Sequence, residues 1–297
     1  MTEKDIVLDG SLLAVSAQQW QQGSVPLVSV LVLAYNHEKY IVKCLNSILQ
    51  QVTDFPIEII INDDASTDQT SEIIRAYTQQ FPNIFRPIFQ TENQFSKFKK
   101  IRPALHNMAK GQFIAGCDGD DFWVDSKKLA KQVKFLQENP SYVLSFHDAI
   151  HVDEAGATGV AYNLPETAKR DYTQNELRIL KWGWMLLGTM VYRKVPIEFP
   201  PEYELIPNGD NFVPMLLGAF GGARFQQDVG PLAYRQHQNS IWSAQPIEER
   251  LRMQLQSYLQ ITGYFVRIGD MESAKKMLLG RLRVFVERLL KLNKNSS

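Results

Sequence analysis

Two apolar runs near the start of the chain restrict what it can fold into more than any other feature. Residues 27–34 read Leu-Val-Ser-Val-Leu-Val-Leu-Ala, and residues 57–61 read Ile-Glu-Ile-Ile-Ile. A strand with one wet face alternates apolar and polar residues, whereas a run this continuous suits a parallel strand covered on both faces. Between the two runs Ile41, Leu45, Ile48 and Leu49 recur at helical spacing, so the segment reads strand, helix, strand. That unit predicts an α/β fold, an open and mostly parallel sheet flanked by helices (Rossmann-like), with ligands at the carboxyl edge of the strands.

The next segments repeat the alternation. Ile73, Ile74 and Tyr77 mark a helix, residues 84–89 a third strand, residues 90–100 a polar connection, and residues 104–109 another helix. Ser66 and Gln69 have capping-box spacing for the helix at Ile73, which leaves Asp63 and Asp64 without a role in helix initiation. After the apolar run Phe113, Ile114, Ala115 comes Cys117-Asp118-Gly119-Asp120-Asp121-Phe122-Trp123. Clustered carboxylates need a cation or generous solvation, so this stretch is either a metal site at a strand end or an acidic turn capping the following helix. Tyr35, Asp64 and the acids at 118–121 all fall on the same predicted rim, which turns and capping alone do not explain. No G-x-G-x-x-G follows the first strand and no G-x-x-x-x-G-K-[ST] occurs, so any phosphate must be met by a metal and basic side chains. An all-oxygen, diphosphate-bridging site suits Mg²⁺ or Mn²⁺.

Composition narrows the partners. The 297 residues, 44% of them hydrophobic, suffice for one large or two small folded domains. Thirty-two basic and thirty-two acidic side chains cancel, so no global field draws the chain to nucleic acid or lipid. Cys44 and Cys117 lack metal-ligand spacing and sit among apolar residues, as reduced thiols in a cytoplasmic protein do. No apolar run reaches the roughly 18 residues of a membrane span, and no signal-peptide plan opens the chain.

With these motifs in order, the chain resembles the family-two glycosyltransferases, whose nucleotide-sugar fold is called GT-A. The strand ending in Ala34-Tyr35-Asn36 is similar to their opening strand, Asp63-Asp64-Ala65-Ser66-Thr67-Asp68 to their Asp-Asp-x-Ser-x-Asp motif, and Asp118-Gly119-Asp120-Asp121 to their Asp-x-Asp. The resemblance spans residues 26–243 and divides the chain into a polar appendage (1–25), with weak helical pattern at Leu12, Leu13, Val15 and Trp20, a GT-A domain with a nucleotide-sugar half (26–125) and an acceptor half (126–243), and a C-terminal helical region (244–297). It implies that Ala34, Tyr35 and Asn36 border the nucleotide base, that Asp64 accepts from a uracil imide, and that Arg102 lies near base and ribose. Pro103 and Leu105 depart there from the family's asparagine and glycine. Asp118, Gly119 and Asp120 would form the ribose and metal end of the nucleotide-sugar site, with Asp120, Asp121 and His237 the candidate metal ligands and the choice among the three aspartates open.

In the second half, Ser126 reads as a cap for a helix at 127–137, and residues 142–150 and 188–193 read as strands; Trp182, Trp184, Met185 and Leu186 precede the latter. Asp210 precedes an apolar helix through Met215, Leu216 and Leu217, where inverting members carry a Glu-Asp pair; the glutamate position is Gly209. Asp210 is therefore the candidate catalytic base, and Arg235 and His237 the candidate diphosphate partners. The expected activity is metal-dependent inverting transfer of one sugar, of the hexosyltransferase type, from a UDP-linked donor to a saccharide or lipid-linked saccharide acceptor in glycan or surface polysaccharide biosynthesis. Two other readings stay open, a catalytically silent binding scaffold and a nucleotidyltransferase. The C-terminal region is read as two amphipathic helices, with Leu251, Leu255, Tyr258 and Met277 on apolar faces and Lys275, Lys276 and Arg281 opposite. They would pack on the domain, self-associate, or touch anionic lipid at the inner face of a membrane.

Overall fold

In the computed structural model both apolar runs are central strands of one sheet. The structure describes residues 14–18, 24–97, 99–162, 164–179, 185–207, 209–238, 240, 244–283 and 285–286. The chain runs β1 (Val28–Ala34), α1 (Ile41–Leu49), β2 (Ile57–Asp63), α2 (Thr70–Gln80), β3 (Phe85–Phe89), α3 (Arg102–Met108), β4 (Phe113–Asp118), β5 (Phe122–Trp123) and α4 (Lys128–Glu138). It continues through β6 (Tyr142–Phe146), β7 (Ala149–Val152), β8 (Thr158–Tyr162), β9 (Val191–Arg193), β10 (Gly222–Phe225) and β11 (Leu232–Arg235).

Among the described residues the strands form two sheets, a seven-stranded one in the order β10-β6-β9-β4-β1-β2-β3 and a four-stranded one in the order β5-β11-β7-β8. In the large sheet β4, β1, β2 and β3 are parallel neighbours, and β9 runs antiparallel between β4 and β6. Burial on both faces explains the unbroken apolar runs. Val28, Val30 and Val32 join Ile57, Ile59 and Ile61 under α1, while Leu31 and Ile60 enter the core on the opposite side with Leu105 and Ile114.

Three local expectations change. Residues 142–150 do not make one strand: the chain leaves the large sheet after Phe146 and enters the small one at Ala149, with His147 and Asp148 between. The polar pair His147-Asp148 marks that switch in the sequence, with Asp148 Oδ1 accepting from Ala149 N at 2.8 Å. Residues 188–193 form a 3₁₀ turn, Leu187–Thr189, before β9. The caps move too. α2 begins at Thr70, whose N–H bonds to Asp68 Oδ1 at 2.9 Å, while Ser66 Oγ donates to Asp63 Oδ1 at 2.5 Å. At α4, Asp125 Oδ1 accepts from Lys127 N at 2.8 Å in place of Ser126.

The expected helix beyond residue 246 is Ile247–Arg267, followed after Gly269 and Asp270 by Met271–Lys276 and a wider-wound turn, Met277–Leu282. Tyr258, Ile261, Phe265, Ala274, Met277 and Phe285 share one core with Tyr203 and Phe212. Of the weak pattern at the start, Val15 lies in the 3₁₀ turn Val15–Ala17, is buried, and donates its N–H to Gln51 O at 2.9 Å. Leu12, Leu13, Trp20, Trp182 and Trp184 lie outside the described residues.

Candidate active site

The carboxyl ends of three adjacent strands define the site. Ala34 pairs in register with Asp63, and Leu33 with both Asn62 and Asp118, so the turns after β1, β2 and β4 leave the sheet side by side. Sequence order alone had put Tyr35, Asp64 and Asp118 on one rim, and register brings their strand ends together.

Each turn is held by specific bonds. After β1, Asn36 adopts φ 54°, a left-handed conformation that asparagine tolerates better than most residues. Its Oδ1 accepts from Thr67 N at 2.8 Å and its N–H donates to Ser66 Oγ at 2.9 Å, lashing the first turn to the second. Tyr35, 43% exposed, stands at the rim with its ring available to solvent. Asp64 is buried and fixed: Oδ1 accepts from Gln94 N at 2.8 Å and Oδ2 from Phe95 N at 3.0 Å, which ties the polar connection after β3 to the rim. Arg102 opens α3, with Pro103 in the first turn where its missing N–H costs nothing, and Arg102 Nη2 lies 4.0 Å from Asp118 Oδ1.

The acids at 118–121 divide sharply. Asp118 ends β4 and is partly exposed. Gly119 donates its N–H to Leu33 O at 2.8 Å, and a Cβ there would stand 2.8 Å from His37 Nδ1 and 3.1 Å from Leu33 O. Only glycine lets the chain pass so close. Asp120 Oδ2 lies 3.0 Å from His237 Nε2 and 3.9 Å from His37 Nε2. Burial works to raise the Asp120 carboxyl, but the His237 hydrogen bond and the two imidazoles outweigh it and hold it below the usual range. Asp121 is spent on structure, for its Oδ1 accepts from Arg235 N at 2.8 Å, joining β5 to β11. Burial first, then the charges of Asp120 and Asp118, pushes the Asp121 carboxyl well above the usual range.

His37, Asp120 and His237 thus present ligand atoms all within 4.8 Å of one another. Two of them, Asp120 and His237, belong to the expected metal set; Asp121 is outside this group, and His37 is an addition. Ligands at right angles around an ion with bonds of about 2.1 Å stand about 3.0 Å apart, which is the Asp120–His237 spacing, so these residues fit a divalent cation. His37 was absent from the motif reading. A histidine directly after a rim strand's Tyr-Asn was the available signal.

Arg235 behaves differently from a free diphosphate partner. It is 2% exposed, and its guanidinium donates to Asp120 O (2.8 Å), Asp153 O (2.9 Å) and Glu154 O (2.6 Å) while lying over the Tyr40 ring. Tyr40 in turn packs 4.8 Å from the His237 ring, so Arg235 and Tyr40 buttress that imidazole.

Asp210 lies in the 3₁₀ turn Gly209–Asn211, directly before the helix Phe212–Leu217; its side chain is outside what the structure describes. A Cβ at Gly209 would stand 2.5 Å from Tyr203 Oη. Tyr203 therefore fills the space that a glutamate at this position would need.

The solved structures that this chain resembles fix the class of fold. It superposes with TM-score 0.58 on Staphylococcus aureus TarS residues 1–349 in complex with UDP-GlcNAc, at 21% identity over 78% of this chain and 66% of that one. A mannosyltransferase from Pyrobaculum calidifontis, PcManGT, in complex with GDP-Man and Mn²⁺, superposes with TM-score 0.54 at 17% identity, covering 90% of this chain and 75% of the other. The fold is that of the GT-A glycosyltransferases. Residues 29–194 match the family described as Glycosyl transferase family 2, and the chain belongs to that family. An uncharacterized protein of Mycobacterium tuberculosis is 34% identical over 230 residues, 75% of this chain and 62% of its own length. The S. aureus poly(ribitol-phosphate) beta-N-acetylglucosaminyltransferase TarS is 31% identical over 184 residues, 59% of this chain and 30% of that protein. The chain thus spans less than two thirds of the length of these relatives. Among the described residues, no helix is long and apolar enough to cross a membrane.

Proposed function

We propose that the protein is a metal-dependent inverting glycosyltransferase that moves one sugar from a UDP-linked donor to a hydroxyl of a saccharide or lipid-linked saccharide in glycan or surface polysaccharide biosynthesis. The observation that carries this reading is the meeting of Asp120 and His237, 3.0 Å apart, on the rim that also bears Tyr35 and Asp64. The neighbours solved with UDP-GlcNAc and with GDP-Man and Mn²⁺ support a nucleotide sugar and a cation as ligands.

In this reading Asp120 and His237 hold Mg²⁺ or Mn²⁺, which when bound offsets the charge of the departing diphosphate. Tyr35 offers a ring face to the base, and Asp64, its loop bonds already made, presents its remaining lone pairs to the imide. Arg102 and Asp118 stand beside each other to meet the ribose. Asp210 takes the proton from the acceptor hydroxyl as its oxygen attacks the anomeric carbon in line, and the bond to the diphosphate oxygen breaks on the opposite face. Arg235 acts through its neighbours, keeping Asp120 and His237 in place. The reaction belongs on the cytoplasmic side, where the C-terminal helices could bring the enzyme to a membrane-held acceptor or to a second copy.

Donor hydrolysis measured with Mn²⁺ across a panel of nucleotide sugars tests the reading. Turnover of one UDP-sugar, abolished in Asp210→Asn and dependent on the ion, is the expected result. Tight nucleotide-sugar binding without turnover, even with saccharide acceptors present, would sink it in favour of a binding scaffold.

A further inference from the structure

We infer that His37 is a third protein ligand of the cation, and that the resulting two-histidine, one-carboxylate face selects Mn²⁺ and its later first-row neighbours over Mg²⁺. The inference rests on the proposed cation site at Asp120 and His237 and concerns which ion that site takes.

Three observations on the His37 ring carry it. Its position is fixed from the backbone: the His37 N–H donates to Thr70 Oγ1 at 2.8 Å, and its carbonyl accepts from Tyr40 N and Ile41 N, both at 2.8 Å, where α1 begins. One side of the ring is closed by Gly119, where no side chain fits. Its Nε2 is directed at the locus shared by the other two ligands, 3.9 Å from Asp120 Oδ2, too long for a hydrogen bond. That distance lies between the separations of about 3.0 and about 4.2 Å for adjacent and opposite ligands around an ion with bonds of about 2.1 Å. A half-buried imidazole held this firmly and aimed at a carboxylate it does not touch is arranged for an ion between them.

Ligand chemistry then sets the selectivity. Mg²⁺ demands hard oxygen ligands and gives up its waters reluctantly, whereas affinity for a nitrogen-bearing site rises along the first-row series from Mn²⁺ through Co²⁺. One histidine beside a carboxylate leaves Mg²⁺ competitive. Two shift the balance away from it.

The test is ion binding by the full chain with UDP present, read by calorimetry and by the Mn²⁺ electron paramagnetic resonance signal, with no need for turnover. The wild-type protein should bind Mn²⁺ and Co²⁺ at least about tenfold more tightly than Mg²⁺. His37→Ala should weaken Mn²⁺ about tenfold or more, weaken Mg²⁺ less, and so narrow the gap. Electron spin-echo modulation of Mn²⁺ on the wild-type protein counts coordinated imidazole nitrogens, which keeps the question answerable if the variant folds poorly. Two nitrogens are expected. A single nitrogen, or Mn²⁺ affinity unchanged in a folded His37→Ala, overturns the role of His37 while leaving the Asp120–His237 site standing. If the wild-type chain binds neither ion with UDP, the cation site falls and this inference with it.

Discussion

The two ends of the large sheet are held by opposite means. Around β2 it is closed by apolar contact: Ile59, Ile60 and Ile61 are at most 1% exposed and divide between the two apolar cores. At the β6 end of the same sheet, the layer beneath α4 is polar and equally buried. Gln132 of α4 donates from Nε2 to Ser145 O (3.0 Å) and Thr189 O (3.1 Å), Ser145 Oγ donates to Gln226 Oε1 at 2.6 Å, and Lys128, 1% exposed, donates to Gln132 Oε1 at 2.8 Å beneath the Trp123 ring. Apolar packing tolerates many partners, while a buried polar network is favourable only in the one arrangement that satisfies it. The network therefore fixes α4 against β6 and the Leu187–Thr189 turn. Trp123 of β5, under which Lys128 lies, donates Nε1–H to Gly188 O at 2.9 Å, and β5 pairs with β11, which carries Arg235 and leads into His237.

The largest test of this contrast sets the two neighbouring acids apart. Asp120→Asn should lower ion-dependent donor turnover by roughly 10²–10³-fold, the usual cost of losing a key charge-stabilising group. Asp121→Asn keeps an oxygen to accept the Arg235 N–H and should shift stability by under about 1 kcal/mol, read by denaturant unfolding. Equal damage from both would break the distinction between a site acid and a structural acid.

Next is the polar network's own titration. Burial lowers the Lys128 ammonium to about 7 in the fold, against 10.5 for the free side chain. Above about pH 7 the folded chain sheds this proton while the unfolded chain keeps it, so stability rises with pH. Between pH 7 and 8.5 the gain should be roughly 1.5 kcal/mol, and Lys128→Met should remove that rise. A Lys128→Met chain whose stability climbs just as steeply would show that the network does not hold the ammonium out of water.

The smallest effect belongs to the rim of the C-terminal helices. Arg267 forms a two-pronged pair with Glu202, at 2.6 and 2.9 Å, with the arginine half exposed. Because exposed pairs are screened, Arg267→Ala should cost under about 1 kcal/mol by thermal or denaturant unfolding. A larger loss would mean that this surface pair, and not the apolar face of the helix, secures the C-terminal region.

The same contrast explains what could be read in advance. β1, β2 and the rim acids are visible because a doubly covered strand writes itself as an unbroken apolar run and the turn after it must be polar. The family resemblance supplied the pairing of Asp120 with His237. The small sheet left little trace: β5 is only Phe122 and Trp123, β7 is set off from β6 only by the polar pair His147-Asp148, and their pairing with β11 is non-local. Arg235 looked like a charge for the diphosphate because nothing local reveals that three backbone carbonyls claim it. Asp125 and Ser126 are both good caps, and only the backbone path at α4 chooses between them.

The bond from Arg235 N to Asp121 spans 114 residues of sequence, and this has a consequence for how the protein is made. Synthesis runs from the N-terminus, and the β1–β2–β4 core can assemble as soon as its strands emerge. At that stage His37 and Asp120 are in the chain, but β11 and His237 are not. The emerging protein passes through a period in which the rim is shaped and its acids are clustered, with no strand to pair β5 and no second imidazole. The ion site is thus a late product of folding, completed only when β11 closes the small sheet.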